Sequence, residues 1–149
     1  PNAHKRRTAY IAAMNRLGHE PRLYQLDGEG WNFEEIGFVQ GGGLLTGSRL
    51  PTNTVLCSND RLAIGLLSAA FENGIKVGLE MNASLRIAGH DDHPFSRFTC
   101  PSLTTVSQDY DAIAARSVET VLSLIDSDDG QNSREELLFE GRLVMRNSA

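Results

Sequence analysis

Two short polar clusters follow predicted strands and contain side chains able to bind a ligand. The run SND at 58–60 comes directly after the apolar run 54–57, and the run HDD at 90–92 follows the run 84–89. In open parallel sheets, ligands bind just outside the carboxyl ends of the strands. Because the two runs are expected to be neighbouring strands, the clusters should meet at one edge of a sheet and form a binding site there.

Each polar residue also has a plain structural explanation. Asp60 is better explained as a helix N-cap than as a ligand, and either Asp91 or Asp92 could be a solvated carboxylate in a turn. We expect Asp92 to accept hydrogen bonds from the backbone of its loop, because neighbouring residues at a strand end point to opposite sides. The site is therefore predicted from the joint position of the two clusters and not from any one residue.

Metal binding and catalysis explain the same residues less well. The run HDDH at 90–93 offers oxygen and imidazole ligands, but adjacent positions rarely converge on one ion. Consecutive carboxylates do not face each other across a substrate. The sequence contains no Gly-x-Ser-x-Gly, phosphate-binding loop or His-Glu-x-x-His motif. We therefore predict no metal, no cofactor and no enzyme activity.

The elements that must position these clusters alternate between strand and helix patterns. Apolar spacing and helix-ending glycines predict helices over residues 2–17, from about 32, from about 60 to 72, and over 110–125. Short apolar runs predict strands over 22–26, 54–57, 84–89, 103–106, 137–139 and 143–145. The glycine run at 41–43 should end or fray the second helix, because each glycine in a helix interior costs about 1 kcal/mol. Strand, helix and strand in succession predict an α/β fold with a parallel sheet.

Composition excludes several classes of protein. A chain of 149 residues with 40% apolar and 22% charged residues has the size and balance of one globular domain. The net charge of −5 leaves no broad basic surface for DNA. We find neither a signal peptide nor an apolar run of roughly 18 residues, so no membrane span is predicted. Cys57 and Cys100 are isolated, which favours free thiols in a reducing cytoplasm.

Several motifs in order resemble the effector domain of LacI-type transcription regulators. They are VLCSNDRLAIG at 55–65, GHDD at 89–92 and PSLTTVSQD at 101–109. The run RRTAY at 6–10 is similar to the start of the family's first helix in this part of the protein, and the chain end, with Arg146 and Ser148, is similar to its terminal strand. Ala9, His90 and the glycine run depart from the family pattern. The resemblance covers nearly the whole chain.

The resemblance implies a three-layer, periplasmic-binding-protein-like fold in which an effector lies between two lobes. Residues 1–103 and 131–149 would belong to the C-terminal lobe, and 104–130 would cross to a first lobe that this sequence largely lacks. The DNA-binding helix-turn-helix would also lie outside this chain. We therefore expect the chain alone to bind effector weakly or not at all, because it supplies only one wall of the cleft.

Four polar residues match effector-contacting positions of the family: Arg6, Asn59, Asp91 and Gln108. Guanidinium, amide and carboxylate groups suit a polyol, because adjacent sugar hydroxyls each offer a donor and acceptors. Trp31, with Phe33 as the alternative, matches an aromatic residue that packs against the effector. An equally weighted explanation is that Trp31 only fastens a loop to the sheet. The expected effector is a small polar metabolite with the character of a sugar.

The resemblance also implies a homodimer. The helix after Asn59 and the loop near residues 95–100 would face a second subunit, so an interface is predicted at Leu66, Phe95, Phe98 and Cys100. Apolar side chains on a loop otherwise expected to be polar favour a partner. Effector binding would then change the angle between lobes and the spacing of two DNA-binding heads.

Two other functions remain open from the sequence. An exported sugar-binding protein of a transporter has the same fold, but the run at 104–109 and the apolar loop favour the cytoplasmic regulator. An enzyme acting on a sugar phosphate is disfavoured, because a phosphate-binding loop is missing from the sequence.

Overall fold

The computed structural model describes residues 2–27, 30–47, 50–126 and 136–149. The helices are α1 (Asn2–Arg16), α2 (Phe33–Thr46), α3 (Asp60–Glu72) and α4 (Tyr110–Asp126), with a 3₁₀ turn at Pro94–Arg97. The strands are β1 (Thr54–Leu56), β2 (Arg86–Ala88), β3 (Thr105–Ser107) and β4 (Arg142–Val144). From β1 onward strands and helices alternate as the sequence predicts, whereas α1 and α2 follow each other without a strand between them. Turn-forming residues predict loops over 27–30 and 126–133, and of these residues 28–29 and 127–133 lie outside the described part of the chain.

The core forms around the parallel pair of β1 and β2. Val55 is paired with Ile87, which is fully buried. The buried face of α3 packs over this pair, and apolar residues from β2, from the segment before it and from the segment before β3 complete the cluster. Burial of apolar side chains on one face of α3 is the main stabilising contribution to this helix. The buried core residues are Ala63, Leu66, Leu67, Ala70, Leu85, Ile87 and Leu103.

The remaining strands extend this layer. Thr104 forms a parallel bridge with Ala88, so the chain leaves the core beside β2 before it enters β3. β3 then pairs antiparallel with β4, with Val106 opposite Leu143. The structure is therefore α/β with a parallel centre and an antiparallel returning strand, and the carboxyl ends of β1, β2 and β3 lie near one another.

The glycine run does not end the second helix, so the prediction from helix propensity is wrong. α2 continues through Gly41 and Gly42 to Thr46. A Cβ atom on Gly41 would lie 2.7 Å from Cδ1 of Leu66, which belongs to α3. Gly41 and Gly42 therefore let the two helices approach closely, a contact that helix propensity does not take into account.

Two predicted strands are not found. The structure has no strand at 22–26 or at 137–139, although both segments are described. Leu138 in the second segment is almost fully exposed. Apolar residues alone do not make a strand, because a strand also needs a neighbour to satisfy its backbone hydrogen bonds.

Helix α4 presents apolar side chains to solvent. Ile125 is 72% exposed, and Val118, Val121 and Leu122 on the same helix are also exposed. None of the described helices is long and apolar enough to span a membrane. The exposed residues of α4 are therefore an uncovered apolar surface of this chain.

Candidate functional site

Three segments bring polar side chains together on the carboxylate of Asp91. Arg6 from α1 forms a bidentate ion pair with it, and one contact, Nη1 to Oδ2, is 3.3 Å. Nε2 of Gln108, just after β3, donates to Oδ1 of Asp91 over 2.8 Å. Arg6 also donates to the carbonyl oxygen of Ser58. A guanidinium, an amide and a carboxylate from distant parts of the sequence thus meet at the carboxyl end of the strands.

The backbone of Asp91 is held in an uncommon conformation. Its φ is 114°, a region that residues with a Cβ rarely adopt. Its amide donates to the carbonyl of Val106 over 2.9 Å, and its own carbonyl accepts from the Tyr110 hydroxyl over 2.7 Å. Strained residues fixed by their surroundings are concentrated at binding sites, where they aim a side chain. Asp91 is therefore fixed by contacts on both of its sides.

A concavity of about 200 Å³ opens beside Asp91. Oδ1 of Asn59 caps α3 by accepting from the amide of Leu62 over 2.8 Å. This cap uses the Asn59 oxygen within the protein, and the residue still lines the concavity. The residues around the concavity are Trp31, Phe33, Asn59, Asp60, Arg61, Asp91 and His93.

The aromatic side of the concavity consists of Trp31 and Phe33. Their ring centroids are 5.8 Å apart with an interplanar angle of 78°, an edge-to-face pair. Trp31 is 79% exposed, so its ring faces are accessible to a ligand. The Arg61 guanidinium lies 5.4 Å from the Phe33 ring centroid and binds the Glu34 carboxylate. The hydrogen bond from Arg61 holds the pKa of Glu34 below its usual value.

Asp60 is a structural carboxylate, but it is not the cap that the sequence predicts. Asn59 caps α3, while Asp60 is 1% exposed and accepts from the Thr105 and Ser96 hydroxyls, each over 2.6 Å. The amide of His93 donates to it over 2.8 Å. A Cβ on Gly89 would lie 2.1 Å from Oδ1 of Asp60, so glycine is needed where the strand passes this carboxylate.

Asp92 is also structural, with a different partner from the one predicted. Its carboxylate accepts from Nη2 of Arg146 over 2.6 Å, and not from the loop backbone. Nη1 of the same arginine donates to the carbonyl of Leu103 over 2.8 Å. Arg146 therefore fastens the end of the chain to the loop that carries Asp91.

The sequence analysis did not assign Tyr110 or Arg61 to the site, and it did not pair His90 with Asp91. Desolvation and the nearby Asp91 raise the pKa of the Tyr110 hydroxyl, which keeps it a neutral donor. Nδ1 of His90 lies 3.1 Å from Oδ1 of Asp91. Tyr110 follows Gln108 closely in the sequence, so its position was a usable signal. Arg61 gave none, because its partner Glu34 lies in another helix.

The residues predicted for the dimer interface do not share one environment. Phe95 and Phe98 are 66% and 76% exposed, and Cys100 is exposed as well. Leu66, in contrast, is 5% exposed and packs in the core, so the chain presents almost none of this side chain to a second subunit. The apolar side of an amphipathic helix faces its own core first, and Leu66 lies on that side.

Metal ligands do not converge in the described part of the chain. No group of three or more histidine, cysteine, aspartate or glutamate residues is arranged there to hold an ion. Two carboxylates near the concavity are instead paired with arginines, Asp91 with Arg6 and Glu34 with Arg61, and Asp60 accepts hydrogen bonds from hydroxyl and amide donors. The arrangement offers hydrogen-bond donors and acceptors, two aromatic rings and little net charge.

This fold and this site define a small-molecule-binding domain of the periplasmic-binding-protein type. The family model for the periplasmic binding protein-like domain matches residues 1–149. The chain belongs to this family, and its relatives identify it as a LacI-type effector-binding domain.

Two curated relatives are transcriptional repressors. The HTH-type transcriptional repressor PurR of Actinobacillus pleuropneumoniae serotype 3 is 34% identical over 147 residues, which cover 97% of this chain and 41% of the repressor. The probable HTH-type transcriptional repressor ExuR of Bacillus subtilis is 29% identical over 99% of this chain and 42% of its own length. The chain thus spans about two fifths of the relatives it matches.

Solved structures agree with this assignment. The Lac repressor bound to ONPG in the repressed state has a TM-score of 0.82 and 28% identity, covering 99% of this chain and 42% of that one. A LacI family transcriptional regulator from Silicibacter pomeroyi has a TM-score of 0.77 and 25% identity, covering 95% of this chain and 48% of that one. The four similar proteins named here are transcription regulators and not enzymes.

Proposed function

We propose that this chain is the effector-sensing and dimer-forming part of a cytoplasmic LacI-type transcription regulator. In this proposal the regulator binds operator DNA through a separate helix-turn-helix and senses a small polar metabolite. The observation that carries the proposal is the convergence of Arg6 and Gln108 on Asp91, beside a concavity lined by Trp31 and Phe33. The matched repressors favour a regulator over an exported sugar-binding protein.

Charge balance supports an uncharged, sugar-like effector. Arg61 lines the concavity and Arg6 binds Asp91 at its edge, and each of these two guanidinium groups is paired with a carboxylate. An anionic ligand would have to displace one of those carboxylates, whereas a hydroxyl group can share donors with it. Exposed faces of Trp31 would pack against the apolar C–H groups of a sugar ring.

The proposed division of the chain between two lobes explains why this chain alone should bind an effector weakly. We propose that 1–103 and 131–149 form one lobe and that 104–130 cross to another lobe, which would cover the exposed apolar side chains of α4; Thr104 and Thr105, at the start of this crossing, are still buried in the first of these lobes. The effector would lie between two such lobes, and closing them would couple binding to DNA affinity. One wall of a cleft buries too little of a ligand for tight binding.

Thermal-shift screening against uncharged sugars tests the proposal. We expect a sugar to stabilise the full gene product, while titration of Trp31 fluorescence in the 149-residue chain gives no tight saturation. Asp91→Asn should weaken binding about tenfold or more, because hydrogen bonds to a charged group contribute roughly 1.5–3 kcal/mol. Asp111→Asn on the exposed start of α4 is the matched control.

Two results would count against the proposal. One is stabilisation of the full gene product that Asp91→Asn leaves unchanged. The other is stabilisation by anionic metabolites while uncharged sugars have no effect. Either result would remove the assigned role of the Asp91 cluster or the assigned class of effector.

A further inference from the structure

Arg61 occupies an electrostatically unfavourable position in its own helix. It lies in the first turn of α3, where the partial positive charge of the helix end disfavours a cation. Its side chain reaches α2 and binds Glu34 through two parallel contacts, Nε to Oε1 at 2.5 Å and Nη2 to Oε2 at 2.6 Å. Bidentate, half-buried pairs of this geometry are the exception to the rule that surface ion pairs contribute little. A side chain held in this way calls for a role beyond helix formation.

Backbone packing fixes the other partner of the pair. A Cβ atom on Gly65 would lie 2.0 Å from the carbonyl oxygen of Glu34, so the first turn of α2 rests directly on α3. Arg61 and Gly65 are four positions apart and lie on the same face of α3. Glu34 is therefore held by its backbone and by its carboxylate, and the ion pair is anchored at both ends.

The same guanidinium contacts the aromatic side of the concavity. Its central carbon lies 5.4 Å from the centroid of the Phe33 ring, and this ring in turn carries Trp31 edge-to-face at 5.8 Å. Trp31 precedes the first residue of α2 and is 79% exposed, so the described contacts that orient its ring run through Phe33. Arg61 itself lines the concavity.

We infer that Arg61 is a positioning residue that, clamped by Glu34, holds Phe33 and through it Trp31 as the aromatic wall of the ligand site. That this wall contacts a ligand rests on the proposed function, whereas the contacts of Arg61 with Glu34 and Phe33 are present without ligand. A planar guanidinium is needed, because it binds a carboxylate with one edge while its face packs on a ring. Ligand selectivity on the aromatic side would therefore depend on a residue of α3.

Solution NMR of the 149-residue chain without ligand tests the clamp. Trp31 is the single tryptophan, so its indole N–H gives one resolvable signal. We expect nuclear Overhauser contacts between the Trp31 and Phe33 rings in the unmodified chain. Arg61→Gln and Glu34→Gln should each abolish these contacts and shift the indole signal, and Arg97→Gln, at an exposed site of the 3₁₀ turn, should leave both unchanged.

The possible outcomes separate the clamp from the proposed function. Ring contacts that persist in Arg61→Gln or Glu34→Gln would overturn the inference, and so would their absence from the unmodified chain. Amide signals of core residues such as Ile87 verify that each variant is folded, and using two variants from different helices guards against misfolding of one. If the ring contacts depend on Arg61 and Glu34 as expected but no sugar stabilises the protein, the proposed function alone would be contradicted.

Discussion

At the residue scale, the buried carboxylate of Asp60 joins three parts of the chain. Its oxygens accept hydrogen bonds from the Thr105 hydroxyl in β3, from the Ser96 hydroxyl in the 3₁₀ turn and from the amide of His93. The first residue of α3 thus fixes both the strand that leads to Gln108 and the turn that carries the exposed phenylalanines. A buried charge is tolerated here because hydrogen-bond donors surround it.

Replacing this carboxylate by an amide should destabilise the chain. In Asp60→Asn, a neutral amide with one acceptor oxygen replaces the carboxylate, and hydrogen bonds to a charged group contribute about 1.5–3 kcal/mol. We expect the free energy of unfolding to fall by about 2 kcal/mol, measured by urea denaturation. Asp111→Asn, at an exposed position, should change it by less than about 0.5 kcal/mol. Equal effects of the two substitutions would contradict the assigned network.

Site residues could be predicted from the sequence where their position in a motif mattered. Arg6, Asn59, Asp91 and Gln108 follow from family resemblance and from the ends of strands, and the structure brings Arg6, Asp91 and Gln108 into contact. Asp60 was assigned too local a role, because its partners lie more than thirty positions further along the chain. Hydrogen bonds between remote segments leave no periodic signal in a single sequence.

At the scale of the elements, the main feature is the close contact between α2 and α3. Gly37 and Gly65 remove the side chains that would separate the two backbones, since a Cβ on Gly37 would lie 2.2 Å from the carbonyl oxygen of Leu62. Local propensity predicted a broken helix at residues 41–43, because it measures an isolated helix and ignores the neighbour. The strands 54–57 and 84–89 were predicted well, since their apolar runs are bounded by turn residues.

Two alanine substitutions should change stability in opposite directions. Gly65→Ala forces a methyl group against the backbone of Glu34 and should destabilise the chain by about 1–3 kcal/mol or more. Gly43→Ala, on the same glycine-rich helix α2, has nothing within 4 Å of its new methyl group and should stabilise it by up to about 1 kcal/mol. Thermal unfolding measures both. Stabilisation by both substitutions would show that the helices do not touch there.

At the scale of the whole molecule, the main feature is apolar surface that the chain itself leaves exposed. One lies on α4, and another is formed by Phe95 in the 3₁₀ turn and Phe98 directly after it. Contiguous apolar surfaces of this kind mark contacts with other domains or subunits. We assign the first to the second lobe and the second to a two-fold dimer, in keeping with the proposed function.

Sedimentation velocity tests the dimer. We expect dimers at roughly tens of micromolar, as for interfaces of ordinary size, and monomers in Phe98→Ser. Met81→Ser removes an even more exposed apolar side chain outside the loop and should leave the dimer intact. Monomers of the unmodified chain at that concentration would contradict the assignment.

Alkylation kinetics provide a second measurement of the dimer. Burial raises the pKa of the Cys57 thiol to about 12, so a maleimide should react with the exposed Cys100 first. Dimerisation through this loop should slow that reaction as protein concentration rises. A rate that does not depend on concentration would locate the interface elsewhere.

The glycine contacts between α2 and α3 also limit how such a binding site can diversify. Two helices whose backbones touch cannot slide or rotate past each other without a clash, so natural variants have little freedom to reshape the helices themselves. New ligand preferences would have to arise by exchange of the side chains ahead of Phe33 and at position 61. The helix pair stays fixed, and changes in ligand preference are confined to the side chains at its ends.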